Sequence, residues 1–262
     1  MNIPEVDGKL DFRVVLTDLA LMHLLHAAFE AFVVPHSTSA KGRPESAYVE
    51  TFGLLWGHKR FLRAPAGGRV RLVTVESAAP DTSTKRTRES FEPDPRALEL
   101  KLDLNTSLWP DRDLVGNYHS HPYGSPTKGD NPWATPKRRH LPSPEDQSWA
   151  RSNLDEWREV GLECSLIVTI NDMKRARQPG PNAQLSPAVE VFNLGNYRVW
   201  IAAFRVVGSS PLEESEVPEQ NTGESLSSSG VQLILPRMTM HTPFGRHDGE
   251  KHRVGHRGAT EG

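Results

Sequence analysis

A single cysteine in 262 residues excludes an internal disulfide framework and any metal knuckle built from several thiolates. Any zinc held by this chain must therefore sit on histidine and carboxylate. An excess of positive charge is missing as well. The formal net charge is -2 and the pI about 6.6, whereas a general nucleic-acid binder carries a basic patch or stripe on a basic domain. Nucleic acid is accordingly not an expected partner. No apolar run approaches the length of a membrane span, and Met1-Asn2-Ile3-Pro4-Glu5-Val6-Asp7 lacks the basic and apolar regions of a secretory signal. The expectation is a cytoplasmic protein with no membrane contact.

What is present fits one substantial domain with its own core, and no second core pattern follows it. The expected boundaries are a lead-in over 1–15, a domain over 16–208, an acidic Ser-rich linker over 209–230 and a mostly disordered segment over 231–262. The linker composition cannot bury enough apolar surface to fold alone. Val231 to Leu235 is the exception, an edge strand able to return to the domain. The tail histidines His241, His247, His252 and His256 have no metal-site spacing.

Within the domain, Leu21, Leu24, Leu25, Ala28 and Phe32 recur at helical spacing, and Thr17 or Asp18 can cap a helix over about Thr17 to Ala31. His23 and His26 on that helix have no ligand partners nearby. Residues 35–46 read as a loop. Tyr48 to Gly57 and Val70 to Val75 read as an antiparallel strand pair across the turn Ala64-Pro65-Ala66-Gly67-Gly68. On its own segment, Glu50 reads as a carboxylate on an exposed strand end. Ser77 to Glu92 reads as a solvated loop carrying Lys85, Arg86 and Arg88. Leu98, Leu100, Leu102 and Leu104 alternate like a strand, but Asp94-Pro95 is an N-cap and first-turn pair, which predicts a helix from Pro95 to Ser107.

Leu114 to His119 reads as a core strand, and on a strand residues two apart share a face, so His119 and His121 present two imidazoles side by side. A loop of 20 residues separates Pro122 from Ser143 and includes Lys137-Arg138-Arg139. Ser143-Pro144-Glu145-Asp146 then has the marks of a helix start, and the helix is expected to run on through Ala150, Leu154 and Trp157 to Gly161. Taken alone, Ser143 and Asp146 make a reciprocal capping box with no chemistry. Brought to the histidines, Asp146 would supply a third protein ligand, the number in a catalytic zinc site whose fourth position is left to water. Cys164 to Ile170 reads as a buried strand. Glu190 to Val207 reads as one or two more, with Gly195-Asn196 as a turn.

Glu50-Thr51-Phe52-Gly53-Leu54-Leu55-Trp56-Gly57, then His119-Ser120-His121-Pro122, then Ser143-x-x-Asp146, resembles the JAMM (MPN+, JAB domain) zinc metalloprotease motif, in order and over roughly Leu16 to Val207. The resemblance implies an α+β fold, an MPN-type α/β/α sandwich around a curved mixed β-sheet in a single domain. It implies one catalytic Zn2+ on His119, His121 and Asp146, Glu50 as general acid and base, and Ser143 as the donor to the developing oxyanion. The implied activity is isopeptidase or peptidase cleavage at the C-terminus of a ubiquitin-like protein or its conjugates, as in deubiquitinase-like bacterial members. Alternatives are a catalytically silent scaffold or binding module of the same fold, and a hydrolase of this type acting on an unrelated substrate. Tyr123 to Leu141 reads as a loop insertion near the cleft. Ser120 points to the opposite strand face and is expected to be structural. Oligomeric state is not legible.

Overall fold

Alternating burial along Phe12–Leu16 makes strand β1, and the chain passes from it into helix α1, Asp18–Val33. Thr17 caps that helix. Its Oγ1 accepts from the Ala20 N–H at 3.2 Å and donates to the Glu76 carbonyl at 3.1 Å. Leu21, Leu24, Ala28 and Phe32 form the buried stripe expected from their spacing. The computed structural model describes residues 10–34, 48–63, 68–86, 91–123, 140–172, 182–195, 197–208 and 225–236. Among these, no helix is long and apolar enough to cross a membrane.

The chain continues through β2 (Phe52–Arg63), β3 (Arg69–Pro80), the short pair β4 (Lys85–Arg86) and β5 (Phe91–Glu92), helix α2 (Pro95–Leu108) and β6 (Asp113–Tyr123). Helices α3 (Pro144–Ser152) and α4 (Leu154–Glu159) lead to β7 (Cys164–Asp172), β8 (Ala183–Ser186), β9 (Val189–Leu194) and β10 (Tyr197–Val206). Two short strands, β11 (Leu226–Ser227) and β12 (Val231–Ile234), follow. The main sheet runs β12-β1-β3-β2-β6-β7-β10-β9-β8, with β11 added to β10. It is mixed: β12–β1, β1–β3 and β6–β7 are parallel and the remaining pairs antiparallel. The sheet curls far enough for its two ends to meet, where the Leu233 N–H on β12 donates to the Pro187 carbonyl between β8 and β9 at 2.8 Å. Helix α1 packs on β3, β6 and β7. The described residues thus form a mixed α and β structure with four helices, one large curled sheet and the small β4–β5 pair.

Strand pairing joins residues on both sides of the 16–208 span. β1 begins at Phe12, inside the expected lead-in, and is paired on both edges by β3 and β12. β11 and β12 bring parts of the expected linker and C-terminal segment onto the sheet. Residues 209–224 and 237–262 of those segments, including the tail histidines, the 35–46 loop and residues 124–139 of the expected insertion lie outside the described residues, as do Ala64 to Gly67, Arg88 and Asn196 in the expected turns and loop.

Three expectations are corrected. Ser77 to Glu92 is not all loop, because β3 continues to Pro80 along β2 and Lys85–Arg86 pairs with Phe91–Glu92. The single helix expected up to Gly161 is two, divided at Asn153, whose φ of -107 and ψ of 8 leave the helical region. The Trp149 carbonyl accepts both the Asn153 backbone N–H at 3.1 Å and its side-chain Nδ2 at 2.7 Å, so the Asn153 side chain bonds back onto the end of α3. Glu50 is not exposed: it is 7% accessible and lies just before β2.

Asp81 ties α2 to this end of the sheet. Its N–H donates to the Phe52 carbonyl at 2.8 Å, and its carboxylate accepts from the Ser83 and Thr84 hydroxyls, both at 2.6 Å, and from Lys101 Nζ at 2.9 Å. Burial works to raise its pKa, but these hydrogen bonds and the Lys101 charge prevail and lower it from 3.8 to about 2. A carboxyl depressed in the folded state contributes stability above its unfolded value and loses it as pH falls through the folded one. Chemical denaturation of Asp81→Asn is therefore expected to show a loss of about 1–2 kcal/mol at neutral pH. The gap to the parent should close between pH 4 and pH 2. A gap that persists unchanged at pH 2 would remove the charge-based account.

Candidate metal centre

β6 is paired on both edges, by β2 and β7, and its His119 and His121 are 1% and 6% exposed. Two residues apart on a strand, they share one face. Their Nε2 atoms are 3.0 Å apart. Helix α3 brings the third group. Ser143 is its N-cap, with Oγ accepting from the Asp146 N–H at 3.0 Å, while Asp146 Oδ2 accepts from the Ser143 N–H at 2.7 Å. This capping box fixes the first turn and aims the same carboxylate at the histidines, with Oδ1 3.2 Å from His119 Nε2 and Oδ2 3.3 Å from His121 Nε2.

These donor separations can be tested against a metal. A tetrahedral ion with bonds of about 2.0–2.1 Å needs donors about 3.3 Å apart. The Nε2 atoms at 3.0 Å, and each imidazole 3.2 or 3.3 Å from a different oxygen of the Asp146 carboxylate, are near this spacing, and one candidate ligand atom from each residue lies within 4.8 Å of the others. The group is compatible with a metal ion; the donor types suit zinc among others. Among the described residues it is the one cluster of this kind, and neither His23 nor His26 belongs to it.

Charge states favour the same use. Burial pushes the His119 imidazole down, towards the neutral form that ligates. Burial alone would raise Asp146, but the two imidazoles beside it and their hydrogen bonds hold it well below the usual carboxylate range. A carboxylate in the first turn of a helix is further favoured by the helix dipole.

His119 Nδ1 is buried without a protein partner, so the hydrogen bond that commonly orients a metal-ligating histidine is missing on that side. Aromatic packing takes its place. Phe91 lies tilted on the imidazole with centroids 5.1 Å apart, itself stacked on Phe52 at 5.0 Å and met edge-on by Trp149 at 5.1 Å. Phe91→Ala is expected to free the ring and weaken zinc binding about tenfold, at the low end of what outer-shell changes cost. Competition with a fluorescent chelator measures it, and unchanged affinity would show that the strand alone orients His119.

Glu50 reaches this face by a different route. Thr51 is clamped to Ser120: the Thr51 N–H donates to Ser120 Oγ at 2.9 Å and the Ser120 N–H donates to the Thr51 carbonyl at 2.9 Å. Ser120 therefore has the structural role expected of it. The β2–β6 register pairs Phe52 with His119, and carried two residues further it sets Glu50 opposite His121. Directly opposite residues on antiparallel strands project to one face. Upstream, the Val49 N–H donates to the Ala31 carbonyl, and Tyr48 has φ 62. That strained residue ends the entry to a buried carboxylate, a place where such strain recurs. Gly53 and Gly57 of the motif serve packing. A Cβ on Gly53 would lie 2.4 Å from both the Ala79 carbonyl oxygen and the Tyr118 ring, and one on Gly57 would lie 1.9 Å from the Thr74 carbonyl oxygen.

No protein-family model and no curated protein matches this chain. The site must be judged on its own residues.

The three expected ligands are together and Ser143 is at the helix start beside them. Glu50 is buried on the neighbouring chain segment. Cys164 offers no competing chemistry: it is buried, burial pushes its thiol up, and its Sγ rests 3.4 Å from the Val115 carbonyl. Sequence reasoning missed Phe91, Trp149 and Asn117. Of these, only Asn117 left a trace, because 117, 119 and 121 follow the same two-residue period.

Proposed function

We propose that this protein is a zinc-dependent isopeptidase or peptidase of the JAMM type, cleaving amide bonds at the C-terminus of a ubiquitin-like protein or its conjugates. The observation that carries the reading is the convergence of buried His119, His121 and Asp146, with candidate ligand atoms within 4.8 Å of one another, and a buried glutamate on the adjoining segment. The order Glu50, His119-Ser120-His121-Pro122, Ser143-x-x-Asp146 supports the same family. An MPN-type sandwich is the finer fold reading that belongs with it. A location in the cytoplasm is part of the proposal.

His119, His121 and Asp146 would hold the ion, which when bound supplies Lewis-acid polarisation and brings the pKa of a bound water towards about 7. Glu50, buried and opposite His121, accepts the proton of the attacking water and returns it to the departing amine. Ser143 remains able to act as oxyanion donor, because its Oγ accepts the Asp146 N–H while its own proton is uncommitted to the cap. An extended substrate tail laid along a strand edge would present the amide.

The test combines metal content with turnover. Purified protein should hold one zinc per chain and release a fluorophore amide-linked to the C-terminus of a ubiquitin-like protein. Chelation should stop release and added zinc should restore it. Stoichiometric zinc without turnover on any ubiquitin-like substrate would favour the alternative of another substrate. No zinc at all would favour the scaffold.

A further inference from the structure

Next to the metal centre, on the same sheet face, lies a cleft of about 360 Å³ between α2, α3, α4 and the β2–β6 pair. Its walls include Phe52, Leu98, Leu102, Trp149 and Trp157. Asn117 lines it too. This residue is 1% exposed, and neither its amide oxygen nor its amide nitrogen has a hydrogen-bond partner in the protein. Buried amides are normally satisfied, and one left without partners calls for a cause. The Asn117 backbone is fixed between Leu54 on β2 and Ser165 on β7, so the amide stays where the strand puts it. A carboxamide both donates and accepts, and its best complement is a group that does the same.

The mouth adds a second constraint. Glu92 and Glu156 stand on it, both exposed, with Lys85 paired to Glu92 at 3.1 Å, and an anion entering would lose its hydration to apolar walls without meeting a cationic side chain among the described lining residues. A volume of this order accommodates a ring with a short substituent. The geometry points to a binding site for an uncharged molecule or side chain with an apolar body and a carboxamide-like end, seated head-first on Asn117 and held by Trp149, Trp157 and the α2 leucines. The site adjoins the metal centre, since Phe52 and Trp149 belong to both and Asn117 precedes His119 by two residues on one strand face. It does not rest on the hydrolase reading.

Benzamide is the probe, with benzoate and ethylbenzene as controls, each titrated by calorimetry into the full chain as purified. Benzamide is expected to bind saturably in the millimolar range or tighter, and benzoate at least tenfold more weakly. Asn117→Leu, close in size, should weaken benzamide at least tenfold while keeping ethylbenzene. Leu102→Trp fills the cleft from α2 and should abolish binding of both; it decides the matter if the Asn117 variant fails to fold. Benzamide binding that is absent, that is matched by benzoate, or that survives either substitution in a folded protein overturns the assignment. Zinc content plays no part in the readout, so a protein without metal can still support this site, and an active metallopeptidase can still refute it.

Discussion

Glu50→Gln is expected to keep its zinc and lose about 10²–10⁴-fold in hydrolysis, the usual worth of a positioned general acid or base. The substitution is close to isosteric, so it preserves packing at a residue only 7% exposed and can keep hydrogen bonds made by one carboxylate oxygen. It cannot take up a proton. The metal should remain, because the ligand group consists of His119, His121 and Asp146. The clamp between Thr51 and Ser120 should hold as well, since it is made by the backbone of one residue and the backbone and hydroxyl of the other. Zinc content, thermal stability and kcat/KM are the three measurements. A variant with full zinc and parental activity would sink the general-base assignment. Glu50→Asp separates positioning from charge: it retains a titratable group set back by one methylene, so a partial loss with a retained pH profile identifies a base out of reach.

The shared face of His119 and His121 and the helix start at Ser143 were legible because their signals are local. Two histidines separated by one residue on an apolar strand must share a face. A serine, a proline and an acid three residues on must start a helix. Neither rule needs the fold. Glu50 was harder, since a carboxylate beside a β-rich run reads as an exposed end until the partner strand is known. Only the β2–β6 register, set by the pairing of Phe52 with His119, turns it inward. Helix α2 shows a conflict between local rules. Alternating leucines argued for a strand, but the cap at Asp94, which accepts from the Arg96 N–H at 3.0 Å, and Pro95 at the first helical position decide for helix. The alternation then places Leu98 and Leu102 towards the core and leaves Leu100, Leu104 and Leu108 exposed.

What stayed hidden depends on contacts distant in sequence. β4 and β5 are two residues each, too short for any periodicity, yet β5 delivers Phe91 onto His119. β12 carries Val231 and Leu233 back to pair with β1, some 219 residues away by the Phe12–Val231 register. The bulge between Leu55 and Trp56 steps the register so that Leu114 joins Asn117 in lining the cleft, a change of facing that strict alternation does not allow. The sheet's curl follows from all of these pairings together and could not be read from any one strand.

Asp146→Asn and Asp146→Ala should separate the two duties of that carboxylate. As a cap, Asp146 accepts the Ser143 N–H at 2.7 Å, a bond that an asparagine carbonyl oxygen can also accept. As a ligand, it supplies the one negative charge of the group, which asparagine cannot. Asp146→Asn is therefore expected to keep the cap but cost the chelated protein the stabilisation the two imidazoles give the carboxylate, while lowering zinc affinity by more than the roughly 10–100-fold typical of outer-shell changes. Asp146→Ala should lose the metal equally and the cap as well, adding a destabilisation of about 0.5–2 kcal/mol in chelator. Ser143→Ala completes the set. It removes the opposite half of the box, with a similar cost of about 0.5–2 kcal/mol, but keeps all three ligands. Its zinc affinity should fall only as far as the first turn of α3 frays. Urea denaturation in chelator and zinc competition read the two quantities separately. Parental zinc affinity in Asp146→Asn would exclude the carboxylate as a ligand. Equal stability of the asparagine and alanine variants would exclude its cap as a determinant of where the helix begins.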